Sequence, residues 1–182
     1  YPGKPTIFHP APSPYGIPYR CLYSRNIQNL FCAGRNISVT HAAMSSTRVM
    51  ATCAVLGQAV GTAASIAVSN KTNPRGVYEK HLAELKQTLM DDDGYLPFNI
   101  REIPALAKTA KLNASEGDPE PLRNGMDRPV GDEGNAWEST PGGWVEYAFD
   151  QSKKIRQVRL IFDSDLNRKN DRMPSRYPIY KP

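Results

Sequence analysis

A chain of 182 residues and 20.2 kDa, with 40% hydrophobic, 23% charged and 9% aromatic residues, is neither a disordered tail, a collagen-like fibre nor a disulfide-dense miniprotein. The length accommodates one domain or two small ones. The net charge of +5 is local: residues 1–152 carry 14 basic and 15 acidic side chains, whereas residues 153–182 carry 9 basic and 3 acidic. The basic tail lacks the aromatic interleaving of nucleic-acid binders, so nucleic acid is not expected as a partner.

Six prolines fall within residues 1–18 and none between Tyr19 and Asn73, so residues 1–19 are expected to be an extended approach. The chain opens on Tyr1 in this Pro-rich stretch and closes on a polar, aperiodic run, which is expected of a piece of a longer protein. Signals of localisation are then unreadable, with a soluble periplasmic or secreted bacterial setting as one option. Three cysteines, Cys21, Cys32 and Cys53, are an odd count without CxxC spacing. Buried free thiols are expected, rather than a disulfide framework or a metal site.

Ile27–Ala33 reads as a short strand ending at Gly34. From Asn36 to Asn70 the only formal charge is Arg48. Within that run, Thr47 to Val68 reads as a long helix with Ser45 and Ser46 as N-cap hydroxyls. Gly57 and Gly61 each cost such a helix about 1 kcal/mol relative to Ala, so close helix–sheet packing along a smooth stripe is expected there. Twenty uncharged residues also raise a membrane span. Thr52, Gln58, Thr62 and Ser65, with no flanking basic or aromatic belt, favour instead a buried helix of a soluble domain. Gly76–Met90 reads as one amphipathic helix with Tyr78, Leu82, Leu85 and Leu89 on its apolar face. The acidic run Asp91–Asp93 lacks calcium-loop spacing and reads as a solvated helix end.

Beyond a linker near residue 104 the texture changes. Val145, Tyr147 and Phe149 alternate on one face of an expected strand, and Val158, Leu160 and Phe162 on another. An antiparallel β-sandwich is expected, with a domain boundary between residues 104 and 105.

One strand–turn–helix unit stands out for its chemistry. Gly34 would let the chain turn sharply and let a ligand approach the backbone. The Ser46–Thr47 end of the expected long helix would offer unpaired N–H groups and the positive end of the dipole, suited to phosphate or to developing negative charge on a ring. Arg48 in a first helical turn would oppose that dipole, which points to an anionic substrate or cofactor.

The segments IPYRCLY (17–23), NLFCAGR (29–35), THAAMSSTRVMATC (40–53) and LGQAVGTAA (56–64) resemble the C-terminal part of a family of FAD-dependent oxidoreductases with a Rossmann-type flavin domain. Members from polysaccharide-degrading bacteria are often labelled xanthan-lyase-like. The resemblance covers roughly residues 15–100. It implies an α/β fold and FAD as cofactor, with Ala33, Gly34 and Arg35 along the FAD. Ser46, Thr47 and Val49 would face the isoalloxazine, and His41 and Arg48 the substrate side as catalytic residues. It also implies an organic or carbohydrate-derived substrate; on the composition of the long helix, no membrane is expected as a partner. No GxGxxG occurs in the 182 residues, so this chain alone is expected to retain no FAD.

The segments AKLNAS (110–115), NGMDR (124–128), NAWES (135–139) and GWVEYAF (143–149) resemble the first half of a discoidin-type (factor 5/8 type C, galactose-binding-like) jelly roll. That resemblance implies glycan as a partner, with Trp137 as the candidate sugar-stacking ring and core packing as the alternative role. Two other readings stay open: a carbohydrate-binding sandwich on a non-catalytic scaffold, and an inactive fragment.

Overall fold

The computed structural model describes Gly3, residues 14–128 and residues 133–162. The chain divides into two compact units, one spanning Pro14–Glu102 and one built from Ile103 onward.

The first unit is mostly helical. A 3-10 turn at Tyr19–Leu22 leads into an isolated antiparallel bridge between Tyr23 and Phe31, and a second 3-10 turn follows at Gly34–Asn36. Four helices complete it: α1 (His41–Thr47), α2 (Met50–Ser69), α3 (Pro74–Lys80) and α4 (Leu82–Asp91). The apolar face expected over residues 78–89 forms the core: Leu85 and Leu89 are buried with Val77, Leu56, Ala63 and Ile66, and Tyr78 and Leu82 pack against them. Each such leucine contributes on the order of 1.5–3 kcal/mol by leaving water. Tyr19 anchors the aromatic side of this core, stacked on Tyr78 at 6.1 Å and edge-on to Phe31 at 6.4 Å. Its hydroxyl donates to the Pro74 carbonyl at 3.0 Å.

Several expectations are corrected here. The strand over 27–33 reduces to the Tyr23–Phe31 bridge and its flanking bonds, Ser24 N–H to Leu30 O and Cys32 N–H to Leu22 O, each 2.8–2.9 Å. No further partner among the described residues extends it, and Ile27 and Leu30 remain exposed. The long helix does not start at Thr47. The Ser45, Ser46 and Thr47 hydroxyls all donate back to carbonyls of Ala42 and Ala43, a local competition that bends or ends helices. The chain therefore closes α1 at Arg48 and restarts α2 from extended Val49. The helix expected over 76–90 is likewise two. Asn73 caps α3 by accepting from Gly76 N–H at 2.9 Å, and the chain leaves helical geometry at His81, whose Nδ1 bonds Glu84 at 2.9 Å.

Helix α2 is long and apolar enough to span a membrane by composition, yet only 22% of its most apolar stretch is buried. Leu56, Ala63, Ile66 and Ala67 face the core, while Met50, Ala54, Gly57, Gly61, Ser65 and Val68 form an exposed stripe. The expectation of a buried helix is thus corrected, and so is the close packing at the glycines: a Cβ on Gly57 or Gly61 would meet nothing within 4 Å. The three cysteines are free but half-buried rather than buried.

In the second unit, a short helix α5 (Ala105–Thr109) precedes β1 (Lys111–Ala114), which pairs antiparallel with β2 (Val145–Ala148) in the register Leu112 to Tyr147 and Ala114 to Val145. Arg123 ties this unit together. Its Nη1 donates to the carbonyls of Ala107, Lys108 and Ala110 at the end of α5, and its other face grips the Glu120 carboxylate at 2.5 and 2.8 Å. The second expected strand does not form: Val158, Leu160 and Phe162 lie outside any strand and are 70–81% exposed. The described residues therefore show a two-stranded sheet where a sandwich was expected. Alternation specifies which face a strand buries but does not supply a partner. Of the basic stretch 153–182, residues 163–182 lie outside the described residues.

Candidate functional site

The residues singled out in the first unit gather at one corner, where the 3-10 turn Gly34–Asn36 packs on both α1 and α2. Gly34 has φ +74°, a left-handed conformation that favours glycine, and it turns the chain from the bridge strand toward α1. Ala33 and Gly34 are half-buried, whereas Arg35 is exposed.

Thr40 caps α1, its hydroxyl accepting from Ala43 N–H at 3.3 Å. His41 follows as the first helical residue, exposed and without a hydrogen-bond partner among the described residues. Thr47 is 3% exposed, with its hydroxyl bonded to the Ala43 carbonyl at 3.2 Å. Ser46 is exposed and shares a hydrogen bond with the Tyr15 hydroxyl. Both therefore belong to the last turn of α1, not to the start of the long helix.

Arg48 is the C-cap of α1. A cation is favoured at that end of α1, but Arg48 also immediately precedes Val49, the N-cap of α2, where it opposes the dipole of the longer helix. The N-terminus of α2 is bare. Val49 makes no side-chain cap, no acidic residue lies in the first turn, and Val49 and Met50 are 53% and 88% exposed. Among the described residues neither Arg35 nor Arg48 pairs with a carboxylate. The corner thus combines a glycine turn with accessible backbone, two exposed guanidiniums and an uncapped helix of 20 residues.

Trp137 lies apart, in the second unit. Its ring is half-buried and its indole N–H donates to the Glu116 carbonyl at 2.7 Å. Glu116 in turn accepts from the Thr140 amide at 2.6 Å and the Thr140 hydroxyl at 2.9 Å, which holds its carboxyl below the ordinary value. Trp144 is the more accessible ring, 54% exposed.

The sequence reading passed over a group of arginines. Arg20, inside the segment IPYRCLY (17–23), and nearby Arg25 line one cavity with Arg75, which is distant in the sequence. The only sequence signal was the unequal distribution of acidic residues, since none occurs before Glu79.

Residues 2–89 match a family model described as FAD dependent oxidoreductase. The matched segment takes in the whole corner from Ala33 to Val49 and ends within α4. No curated protein and no solved structure matches the chain.

Proposed function

We propose that residues 14–102 are the closing part of the flavin site of an FAD-dependent oxidoreductase, with FAD lying along Ala33, Gly34 and Arg35. The match over residues 2–89 carries this reading. The corner fits such a group. A dinucleotide diphosphate suits exposed guanidiniums that lack carboxylate partners, and the bare α2 terminus suits negative charge. When bound, FAD would supply hydride transfer, with an organic or carbohydrate-derived molecule as reductant. Arg35 would hold the anionic cofactor, Arg48 would add positive potential beside the α2 terminus, and His41 would face substrate with a free imidazole. Ser46 and Val49 would contact the ring edge, while Thr47 would act from beneath by keeping α1 in place.

The test is FAD binding and turnover in the intact protein. Arg35→Ala should weaken FAD binding, and Arg48→Ala should lower turnover without loss of folding. Unchanged values in both would remove the corner from the flavin site.

We further propose that the chain from residue 105 onward is a discoidin-like β-sandwich that binds glycan. The support is the β1–β2 antiparallel pair, which falls on two of the segments that carry the resemblance. Trp144 is the better stacking ring, because Trp137 is held by Glu116. A glycan array on the intact protein, repeated with Trp144→Ala, tests this; binding that survives the substitution would exclude Trp144.

A further inference from the structure

Beside the corner, and sharing Asn36 of its turn, the first unit contains an open cavity of about 500 Å³ between the 3-10 turn Tyr19–Leu22, the bridge strands and the start of α3. None of the residues Ala33, Gly34, Arg35, His41 or Arg48 lines it. Three guanidiniums do, those of Arg20, Arg25 and Arg75, and no aspartate or glutamate does. Two of the three are held in place by aromatic faces: Arg20 lies 5.7 Å from the Tyr78 ring centroid and Arg75 5.7 Å from that of Tyr23. Those rings belong to the Tyr19 cluster, so the charges are pre-positioned on the packed core.

The polar lining is rich in unused donors. The Ser24 Oγ accepts from the amides of Asn26 and Ile27, which leaves its O–H to donate. The Ser38 hydroxyl and the Asn36 amide make no hydrogen bond among the described residues, and none of the three arginines pairs with a carboxylate. Tyr23, Leu30 and the two thiols of Cys21 and Cys32 supply an apolar wall. A cavity with donors on one side, no acceptor charge and an apolar wall fits an organic molecule bearing several negative oxygens.

We propose that this cavity binds a small organic oxyanion carrying at least two negative charges, a phosphate ester or a polycarboxylate. The proposal does not depend on the flavin reading. Guanidinium forks recognise either group bidentately, and two of the arginines already rest against rings.

Calorimetric titration of the 182-residue protein with phenyl phosphate, and separately with citrate, distinguishes the two sources. Saturable one-to-one binding of either probe is expected, weakened about tenfold or more by Arg25→Gln and by Arg75→Gln, and little changed by Lys71→Gln, which removes an exposed charge away from the cavity. Arg25 is exposed and makes no hydrogen bond or ion pair with the described residues, so Arg25→Gln tests binding with little disturbance of the fold. The bound probe should also slow alkylation of Cys21 and Cys32 by neutral iodoacetamide while leaving Cys53 unaffected, because Cys53 lies outside the lining. Absence of saturation with both probes, equal weakening by Lys71→Gln, or unprotected Cys21 and Cys32 would overturn the proposal.

Discussion

The position that a Cβ on Gly34 would take lies 3.9 Å from the Cβ of Cys53, an ordinary van der Waals distance. Space therefore does not require glycine at the turn; the backbone does, at φ +74°. Gly34→Ala should destabilise the protein by about 1 kcal/mol through the left-handed conformation alone, and Gly34→Asn should cost less, because asparagine tolerates that region. Urea denaturation of the three proteins checks the order, and equal stability of Ala and Asn variants would indicate a steric cause instead.

Gly57 and Gly61 give the opposite expectation. With open space around both, Gly57→Ala and Gly61→Ala should each stabilise this chain by about 0.5–1 kcal/mol through helix propensity. Thermal unfolding of both variants checks the sign; a lowered melting temperature would show that the stripe of α2 is covered.

Tyr19→Phe removes only the bond to the Pro74 carbonyl and should cost about 1 kcal/mol, with the ring stack on Tyr78 intact. Burial, and secondarily the neighbouring Tyr23, pushes the Tyr19 hydroxyl far above the ordinary tyrosine value. Spectrophotometric titration should therefore show one tyrosine that resists ionisation until the chain unfolds, and Tyr19→Phe should abolish that lag.

Acid should weaken the second unit slightly. Hydrogen bonds from Thr140 hold the Glu116 carboxyl below its ordinary 4.5, and Arg123 does the same for Glu120. The folded state thus binds fewer protons than the unfolded one, so their stabilisation is present above the ordinary carboxylate pKa and is lost as the pH falls through the depressed values. Both carboxylates are solvent-exposed, so the effect should be small and should shrink in salt. The Thr140 amide resonance should move with that titration, and Glu116→Gln should flatten its pH dependence while leaving the Trp137 indole bond, which uses a backbone carbonyl.

The elements that could be read from the sequence were those whose cause is local in it. The apolar spacing of Tyr78, Leu82, Leu85 and Leu89 identified the packed face, and the alternation at Val145–Ala148 identified β2. The breaks at Arg48–Val49 and at His81 were not legible. They arise from hydroxyls that return to carbonyls one turn back and from a histidine that bonds the following helix, choices that composition does not reveal. Segments 27–33 and 158–162 have strand character, but a strand also needs a partner, which their own residues do not specify. At the corner, residue types such as Gly34 and Arg48 were legible, while the helix break that makes Arg48 the C-cap of α1 as well as the residue before α2 was not. The cavity arginines were invisible because only folding brings Arg75 beside Arg20 and Arg25.

The aromatic clustering around Tyr19 has an optical consequence. Residues 14–102 contain tyrosines and phenylalanines but no tryptophan, whereas Trp137 and Trp144 both belong to the unit from Ile103 onward. Tryptophan emission thus reports on one unit alone, and helical circular dichroism reports mainly on the other. The two melting curves can be recorded on a single sample without any label.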